Sequence, residues 1–269
     1  MFDRYLSLWN LVPDGDPVAT PRARLLPVRR QGRAAMLKIA TEAEEGFGGL
    51  LLRWWEGEGA VRLLEQDGAA ILLERALGRR SLSAYAREGR DDEATIILCD
   101  AIAALHAPRA KPLPKLVPLP VWFAALEPVA NAEGGLLGRA GETARLLLST
   151  PQETGVLHGD IHHDNVLDFE ERGWLAIDPK RLWGERGFDY ANLFCNPDME
   201  DPSRPVATRP ERFRRRLEIV IARSGQDRVR LLQWILAWTG LSAAWIIGDG
   251  EDPVVDLQVA ALAAAALDD

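Results

Sequence analysis

The feature that most constrains the fold of this chain is a change of hydrophobic pattern near residue 76. Before that point, short apolar runs of strand composition are separated by glycine-containing turn signals, a pattern typical of β-hairpins. These runs cover residues 25–30, 34–39, 61–64 and 69–74. After Gly78 the apolar residues recur at helical spacing over longer segments. The sequence therefore predicts an α+β protein with a small β-rich lobe at residues 1–75 and a larger, mainly helical lobe at residues 76–269.

One helix is predicted within the β-rich part. Glu42, Glu44 and Glu45 precede the apolar residues 50–55, and acidic residues in a first turn suit the positive end of a helix dipole. In the second part, helices are predicted at residues 82–88, 93–106, 122–130, 136–148, 211–224, 229–247 and 254–267. The stretch 156–177 lacks helical periodicity, so we expect strands and loops there.

Composition excludes some classes of function. The chain has 269 residues, of which 47% are hydrophobic and 27% charged, as in ordinary soluble proteins. The formal net charge of −8 argues against a general nucleic-acid binder. Cys99 and Cys195 form no C-x-x-C pair, so neither a disulfide framework nor a zinc ribbon is indicated.

A membrane location is not expected. The first ten residues lack the apolar stretch of a signal peptide. Residues 231–248 carry no charge but contain Gln233, Thr239 and Ser242, which favours a buried helix over a membrane span. We expect a cytoplasmic protein that is a monomer or a weak dimer.

The most informative segment is residues 156–178, which read V-L-H-G-D-I-H-H-D-N-V-L-D-F-E-E-R-G-W-L-A-I-D. Strand composition on both sides of residues 170–173 predicts a hairpin centred between Glu171 and Arg172. Asn165 and Asp178 lie symmetrically about that centre and should meet at its open end. An amide oxygen and a carboxylate held together suit Mg²⁺, with nucleotide phosphates as further ligands.

Asp160 lies on the loop that enters this hairpin, five residues before Asn165. A carboxylate there could accept the proton of an attacking hydroxyl, near the metal but not bound to it. Phosphoryl transfer needs this division between positioning, charge neutralisation and proton acceptance. The combined spacing predicts an ATP- and magnesium-dependent phosphotransferase.

This segment and the I-D-P-K that follows resemble the aminoglycoside and hydroxyurea phosphotransferases, particularly the streptomycin 6-kinase branch. The resemblance extends to L-K-I at 37–39, G-A-V-R-L-L at 59–64, L-L-E-R at 72–75, A-L-H at 104–106 and G-F-D-Y-A-N-L-F-C-N-P at 187–197. It implies a bilobal protein-kinase-like fold with ATP between the lobes. It also implies an antibiotic-resistance kinase whose acceptor is a hydroxyl of an aminoglycoside or of a hydroxyurea-type compound. An acidic chain would favour a cationic acceptor.

Residue roles follow from the same resemblance. It implies that Asp160 is the catalytic base, that Asn165 and Asp178 bind magnesium, and that Lys38 pairs with the α- and β-phosphates. The usual glutamate partner of this lysine would fall near Gly48, about one turn after Glu44 and Glu45, which are therefore the candidates.

Three further elements are placed by the resemblance. Residues 74–76, from Glu74 to Ala76, resemble the hinge whose backbone binds adenine. Asp189 resembles the residue that braces the catalytic loop, and His158 also fits a bracing position. No G-x-G-x-x-G precedes Lys38, so residues 14–24 must supply any loop that covers the phosphates.

Other interpretations of single residues stay open. His158, His162 and His163 invite a zinc interpretation, which is weaker because zinc needs three or four ligands in fixed geometry. Tryptophans 54, 55, 234, 238 and 245 fall on predicted helices at core-like spacing and are interpreted as packing. Arginines in the run 212–216 are interpreted as a solvated helix face. Candidate acceptor-facing residues are Asp164, Lys180, Glu185 and Asp198.

Two other functions compete with an antibiotic kinase. One is a kinase of the same fold acting on a sugar, choline or a hydroxylated amine, because fold and motif do not fix the acceptor. The other is a nucleotide-binding pseudoenzyme, against which the intact set of catalytic residues argues. A protein kinase is disfavoured because the sequence has no D-F-G or A-P-E segment.

Overall fold

The β-rich part of the chain is organised around one antiparallel sheet. The computed structural model describes residues 1–41 and 48–269. The elements are α1 (Asp3–Leu8), β1 (Leu11–Pro13), β2 (Val18–Ala19), β3 (Ala23–Arg30), β4 (Arg33–Ala40), α2 (Gly48–Trp55), β5 (Leu63–Asp67) and β6 (Ala70–Glu74). The strand order is β1-β3-β4-β6-β5, and β2 also pairs with β3.

The predicted hairpin at residues 25–39 is present as β3 and β4. Its turn is formed by Gln31 and Gly32, both with positive φ, as a two-residue hairpin turn requires. Because side chains alternate along a strand, Leu37 and Ile39 pack in the core beneath the sheet. Lys38 lies on the opposite face and is only 5% exposed.

The strand expected at residues 61–64 begins later, at Leu63. The reason is that the preceding residues pair with a hairpin of the helical part instead. Val61 donates its N–H to Ala176 O at 2.9 Å, and Ala176 donates its N–H to Gly59 O at 3.0 Å. The two lobes are therefore joined by backbone hydrogen bonds as well as by the connecting chain.

The helical part contains several long helices and two small sheets. The helices are α3 (Leu82–Arg87), α4 (Asp91–His106), α5 (Leu119–Trp122), α6 (Leu126–Glu133), α7 (Gly135–Ser149), α8 (Gly187–Ala191), α9 (Pro210–Ser224), α10 (Arg228–Gly248) and α11 (Val254–Asp268). The strands are β7 (Val117–Pro118), β8 (Thr154–Leu157), β9 (Val166–Asp168), β10 (Trp174–Ala176) and β11 (Leu182–Glu185). β9 pairs with β10, and β7, β11 and β8 form a three-stranded sheet in that order.

The predicted helices agree with these bounds to within a few residues, except at 122–130. That segment is divided into α5, a 3-10 turn at Phe123–Ala125, and α6. Pro128 explains the division, because a proline lacks the backbone N–H and clashes with the carbonyl four residues earlier. The first turns of a helix tolerate it, so α6 starts just before it.

α10 lies at the centre of the helical part and packs against α7, α8 and α11. Almost all of its residues from Arg230 to Ala244 are buried. It is long and apolar enough to cross a membrane by length and composition alone, but most of that stretch is buried inside the protein. An all-round apolar helix of this kind is also what a protein core requires.

Candidate active site

A buried carboxylate holds the loop between β8 and β9 in place. Asp189, in the first turn of α8 and 1% exposed, accepts hydrogen bonds from the backbone N–H groups of His158 and Gly159, both at 2.8 Å. His106 Nε2 lies 2.8 Å from the same carboxylate. Arg186 donates to His106 Nδ1, so Nε2 carries the proton. The bracing contact expected of Asp189 is therefore present.

The charge of Asp189 is maintained by these donors. Burial alone would raise the pKa of Asp189, but the His106 hydrogen bond, the nearby imidazoles and the loop amides together hold it below its ordinary value. A carboxylate that accepts several hydrogen bonds stays ionised even without solvent. The loop is thus anchored by a charged acceptor.

His158 connects the loop to both lobes. Its ring stacks on Trp55 of α2, with ring centroids 6.2 Å apart. Its Nε2 lies 2.7 Å from Ile177 O, and its Nδ1 accepts the N–H of Asp160 at 3.2 Å. Burial lowers the pKa of His158, so the ring is neutral and can serve as donor and acceptor at once.

Asp160, two residues after His158, lines a cavity of the helical lobe. Its Oδ1 accepts a hydrogen bond from Asn192 Nδ2 at 3.1 Å. Lys180 Nζ lies 3.5 Å from Oδ2, and His162 Nε2 lies 3.9 Å from Oδ1. The carboxylate is about one-third exposed, which leaves it accessible to a substrate hydroxyl.

Asn192 was missed from the sequence, although a signal was available. It follows Asp189 by three residues on a helical segment, so both side chains face the same loop. Asn196 Nδ2 donates to Asn192 Oδ1 at 3.0 Å and fixes its amide orientation. Asn196 thus supports Asp160 through the amide of Asn192.

The hairpin register differs by half a residue from the expected one. Val166 pairs with Ala176, so the centre lies on Glu171, and Asn165 lies opposite Ile177 rather than Asp178. The connection between the strands is one residue longer than expected, residues 169–173, and in it Glu170 and Gly173 adopt positive φ, which is uncommon for a glutamate. The prediction of direct opposition was wrong.

Asn165 and Asp178 nevertheless lie at the same open end of the hairpin. Ile177 donates its N–H to Asn165 O at 2.9 Å, which places Asp178 next along the chain. Asn165 Nδ2 donates to Asp160 O at 2.7 Å. Asp178 Oδ1 lies 2.8 Å from Lys38 Nζ. The residues predicted to bind nucleotide and metal are therefore adjacent across the interlobe cleft.

Glu44 and Glu45, the predicted partners of Lys38, lie outside the described residues. The predicted hinge, residues 74–76, lies within the described residues and is hydrogen-bonded to the β9–β10 hairpin. Arg172 at the hairpin tip bonds to the Glu74 carboxylate and donates to Gly57 O at 2.7 Å. Ala76 follows, half-buried against the core.

A second set of contacts joins the segment just beyond the hinge to the β9–β10 hairpin. Arg80 binds both oxygens of Asp168 at 2.7 Å, and this guanidinium lowers the pKa of Asp168 to about 2. Gly78 donates its N–H to Asp168 O at 3.1 Å. Its missing side chain is required, because a Cβ there would lie 2.0 Å from the Asp168 carboxyl carbon.

Beside Asp160 lies an open cavity of about 1220 Å³, lined mainly by the helical lobe and also by Arg22 of the β-rich part. Three tryptophans line it, Trp122, Trp238 and Trp245, together with the carboxylates of Asp164 and Glu200. Trp238 is buried in the core, as interpreted, and also lines the cavity, whereas Trp245 is 36% exposed, so the packing interpretation was wrong for Trp245.

Of the four candidate acceptor-facing residues, two line the cavity and two do not. Asp164 and Lys180 line the cavity. Glu185 is instead buried in an ion pair with Arg230 and accepts the Trp234 Nε1 hydrogen bond at 2.6 Å. Asp198 accepts from three successive backbone N–H groups, at residues 206, 207 and 208. The last two predictions were wrong, since both carboxylates have structural partners.

The solvated-face interpretation of residues 212–216 was also wrong in part. Arg216 has no exposed surface. It binds the Asp91 carboxylate and donates to the carbonyls of Leu193 and Asn196 at 2.8 and 2.6 Å. This arginine holds the segment that carries Asn192.

The zinc interpretation has no support in the part of the chain that the structure describes. No group of three or more histidine, cysteine or acidic side chains there has the arrangement of a metal site. His158 is hydrogen-bonded on both ring nitrogens, and His163 is buried. Only His162 of the three lies at the cavity.

The structure combines a sheet lobe and a helical lobe with a braced D-x4-N loop and a lysine–aspartate pair in the cleft. This combination defines a small-molecule phosphotransferase of the protein-kinase-like fold. The model of the aminoglycoside/hydroxyurea antibiotic resistance kinase family matches residues 8–250. The chain belongs to that family. The predictions of family, fold class and enzymatic function are confirmed.

Similar proteins are found at high coverage. The chain is 52% identical over 267 residues to a streptomycin 3''-kinase of Klebsiella pneumoniae, covering 98% of this chain and 100% of the relative. It is 33% identical to a streptomycin 6-kinase of Streptomyces griseus, covering 98% and 87%. Its fold is similar to that of the aminoglycoside phosphotransferase APH(4)-Ia in complex with AMP-PNP and hygromycin B. The TM-score is 0.67 at 13% identity, with 98% and 97% of the chains covered.

Proposed function

We propose that the protein transfers the γ-phosphate of ATP to a hydroxyl of streptomycin or a closely related aminoglycoside. One observation carries the proposal. Asp160 lines a large cavity on one side, and on the other its backbone carbonyl holds Asn165 beside the Lys38–Asp178 pair. This arrangement supports a role for Asp160 as proton acceptor between an acceptor cavity and a phosphate-binding cleft.

The nucleotide half of the site fits a magnesium–ATP complex. The Asn165 amide donates its N–H to Asp160 O, which leaves Oδ1 as the atom available to a cation. The Asp178 carboxylate supplies a second hard-oxygen donor, and such a pair with phosphate oxygens suits Mg²⁺. A magnesium ion held there would neutralise charge on the β- and γ-phosphates.

Lys38 and the hinge complete nucleotide binding. The buried ammonium of Lys38 lies where it can contact the α- and β-phosphates while it pairs with Asp178. Within the described residues, Ala76 makes no backbone–backbone hydrogen bond, so its N–H and C=O are available to the adenine edge.

The reaction is an in-line displacement. The acceptor oxygen forms a bond to the γ-phosphorus, the bond to the β–γ bridging oxygen breaks, and ADP leaves with that electron pair. The hydroxyl proton passes to the Asp160 carboxylate. Asn192 and the braced loop fix the position of this carboxylate, and positioning contributes much of the rate in phosphoryl transfer.

The cavity favours a large cationic acceptor over hydroxyurea. Its volume of about 1220 Å³ exceeds that of ordinary drug-sized sites and far exceeds hydroxyurea. Asp164, held by the Ser83 hydroxyl at 2.7 Å, lies close enough to Glu200 that its charge raises the pKa of Glu200. A guanidinium group between the two carboxylates would relieve this repulsion.

The tryptophan wall supports the same acceptor. Trp122 and Trp245 lie edge to face, with ring centroids 5.5 Å apart. Aromatic faces attract guanidinium groups and pack against sugar rings. We assign transfer to the 3''-hydroxyl of streptomycin, because identity to the 3''-kinase is 52%, against 33% for the 6-kinase.

The test is acceptor-dependent ADP release from the purified protein with ATP and magnesium. The panel contains streptomycin, hydroxyurea, aminoglycosides without guanidinium groups, and choline. Streptomycin should give the highest kcat/KM, and NMR of the product should place the phosphate on the 3'' position. Preference for hydroxyurea or choline, or no turnover with any acceptor, would contradict the proposal.

A matched pair of variants tests the acidic subsite. Asp164→Asn should raise the KM for streptomycin about 10-fold or more, since a hydrogen bond to a charged group contributes about 1.5–3 kcal/mol. The KM for ATP should stay within twofold. Asp201→Asn, which changes an exposed carboxylate bonded to Ser203, should leave both values unchanged. Equal effects of the two variants would exclude a specific role of Asp164.

A further inference from the structure

Lys180 lies beside the proton acceptor of the proposed reaction. Its Nζ lies 3.5 Å from Asp160 Oδ2, and its side chain is 18% exposed. It lines the same cavity as Asp160. Its backbone N–H donates to His158 O at 2.7 Å, so the residue is anchored to the catalytic loop.

The local backbone directs this lysine onto the loop. Asp178 and Arg181 on either side both have positive φ, 58° and 50°, so the chain turns sharply there. Gly159 has φ +86°, and a Cβ at this position would lie 3.1 Å from Lys180 Cβ. The lysine can cross the loop because Gly159 has no side chain.

Holding Asp160 in place does not account for the lysine. The Asn192 amide and the Asp189-braced loop already position that carboxylate. A separation of 3.5 Å is also longer than the 2.7–2.9 Å of a charge-assisted hydrogen bond. The contact between Lys180 and Asp160 is therefore looser than such a bond, and it lies at the cavity wall.

We propose that Lys180 is a second catalytic cation, which contacts the γ-phosphoryl group as it passes from ADP to the acceptor. This rests on the proposed function. The attacking oxygen must lie within hydrogen-bonding distance of Asp160, which places the phosphorus within reach of Nζ. The acceptor proton goes to Asp160. Lys38 stays with the α- and β-phosphates, so the two lysines act on different phosphates.

The experiment compares Lys180→Met with Lys180→Arg and with the control Lys115→Met, which changes an exposed lysine. Removing one preorganised donor from a developing charge slows catalysis about 10²–10³-fold. We expect Lys180→Met to lower kcat by that factor while the KM for ATP and the affinity for ADP stay within threefold. Lys180→Arg should retain at least a tenth of the wild-type kcat, and Lys115→Met should match the wild type.

A second measurement separates this role from a structural one. Aluminium fluoride with ADP, magnesium and streptomycin imitates the phosphoryl group in flight, so the wild type should be trapped in a slowly dissociating complex. Lys180→Met should lose this trapping although it binds ADP normally. Normal trapping, or a loss of ADP affinity equal to the loss of kcat, would overturn the assignment.

Different results would overturn the proposed function and the proposed role of Lys180. A wild-type protein without turnover on any acceptor overturns the proposed function, and the catalytic role of Lys180 with it. An active wild type with an equally active Lys180→Met variant overturns the role of Lys180 alone.

Discussion

The carboxylate of Asp256 should make the protein less stable at neutral pH than at mildly acidic pH. Asp256 lies in the first turn of α11 and is 1% exposed. Ser242 and Cys195 are near, but neither oxygen accepts a hydrogen bond within the part of the chain that the structure describes. Burial raises the pKa of Asp256 from its ordinary 3.8 to about 6.

The sign and size of the effect follow from these two values. The unfolded chain releases this proton near pH 3.8, whereas the folded protein holds it until about pH 6. Between them the folded state binds more protons, so the free energy of unfolding falls as pH rises through that window and stays low above it. The pKa values differ by about 2 pH units, and about 1.4 kcal/mol per unit gives about 3 kcal/mol.

Asp256→Asn removes the charge and keeps the shape. Urea unfolding between pH 4 and 8 should show the variant more stable by up to about 3 kcal/mol at pH 8 and nearly equal to the wild type at pH 4. The matched control is Asp268→Asn at the other end of α11. That carboxylate is exposed and bonded to Arg139, which lowers its pKa, so its replacement should be neutral or slightly destabilising at pH 8. A wild type more stable than Asp256→Asn at pH 8, or a difference independent of pH, would refute the reasoning.

Three further variants test the catalytic loop and the cleft. Asp160→Ala should remove turnover while ATP affinity by calorimetry stays within a few-fold; loss of ATP binding would mean that the residue is structural. Asp178→Ala should abolish magnesium-dependent nucleotide binding, and unchanged affinity in excess magnesium would contradict the metal assignment. Asp189→Asn should lower the free energy of unfolding by about 3–5 kcal/mol, because one buried partner of the His106 and loop-amide contacts is lost; urea unfolding equal to the wild type would exclude the brace.

The nucleotide half of the site could be predicted because its parts are close in the sequence. Asp160, Asn165 and Asp178 belong to one loop and one short hairpin, so their spacing almost determines their geometry. Lys38 is placed by a two-residue turn and by strand alternation. The half-residue register error arose at Glu170, whose positive φ is not signalled by its residue type.

Charged residues with distant partners were less predictable. Arg216 is on a helix whose charge pattern suggests solvent, and Arg230 is in the first turn of the apolar α10. Each is buried against a carboxylate far away in the sequence, Asp91 and Glu185 respectively. A buried charge is tolerated only when its partners satisfy it. Periodicity identifies the helix, but it cannot identify a partner on another element.

The acceptor cavity was the least predictable part of the site, for the same reason. α10 is apolar on nearly every side, so its pattern cannot separate the face that packs against α7 from the face that lines an opening. Trp238 is 5% exposed and Trp245 is 36% exposed, although both are tryptophans on the same side of one helix. Trp245 packs edge to face against Trp122 at the end of α5, a contact between elements that are far apart in the sequence. Under the proposed function, acceptor recognition would depend on how elements distant in sequence are spaced, whereas Asp160, Asn165 and Asp178 come from one contiguous loop and hairpin. Substitutions at Trp122 or Trp245 should therefore alter the relative kcat/KM for different acceptors without altering ATP affinity.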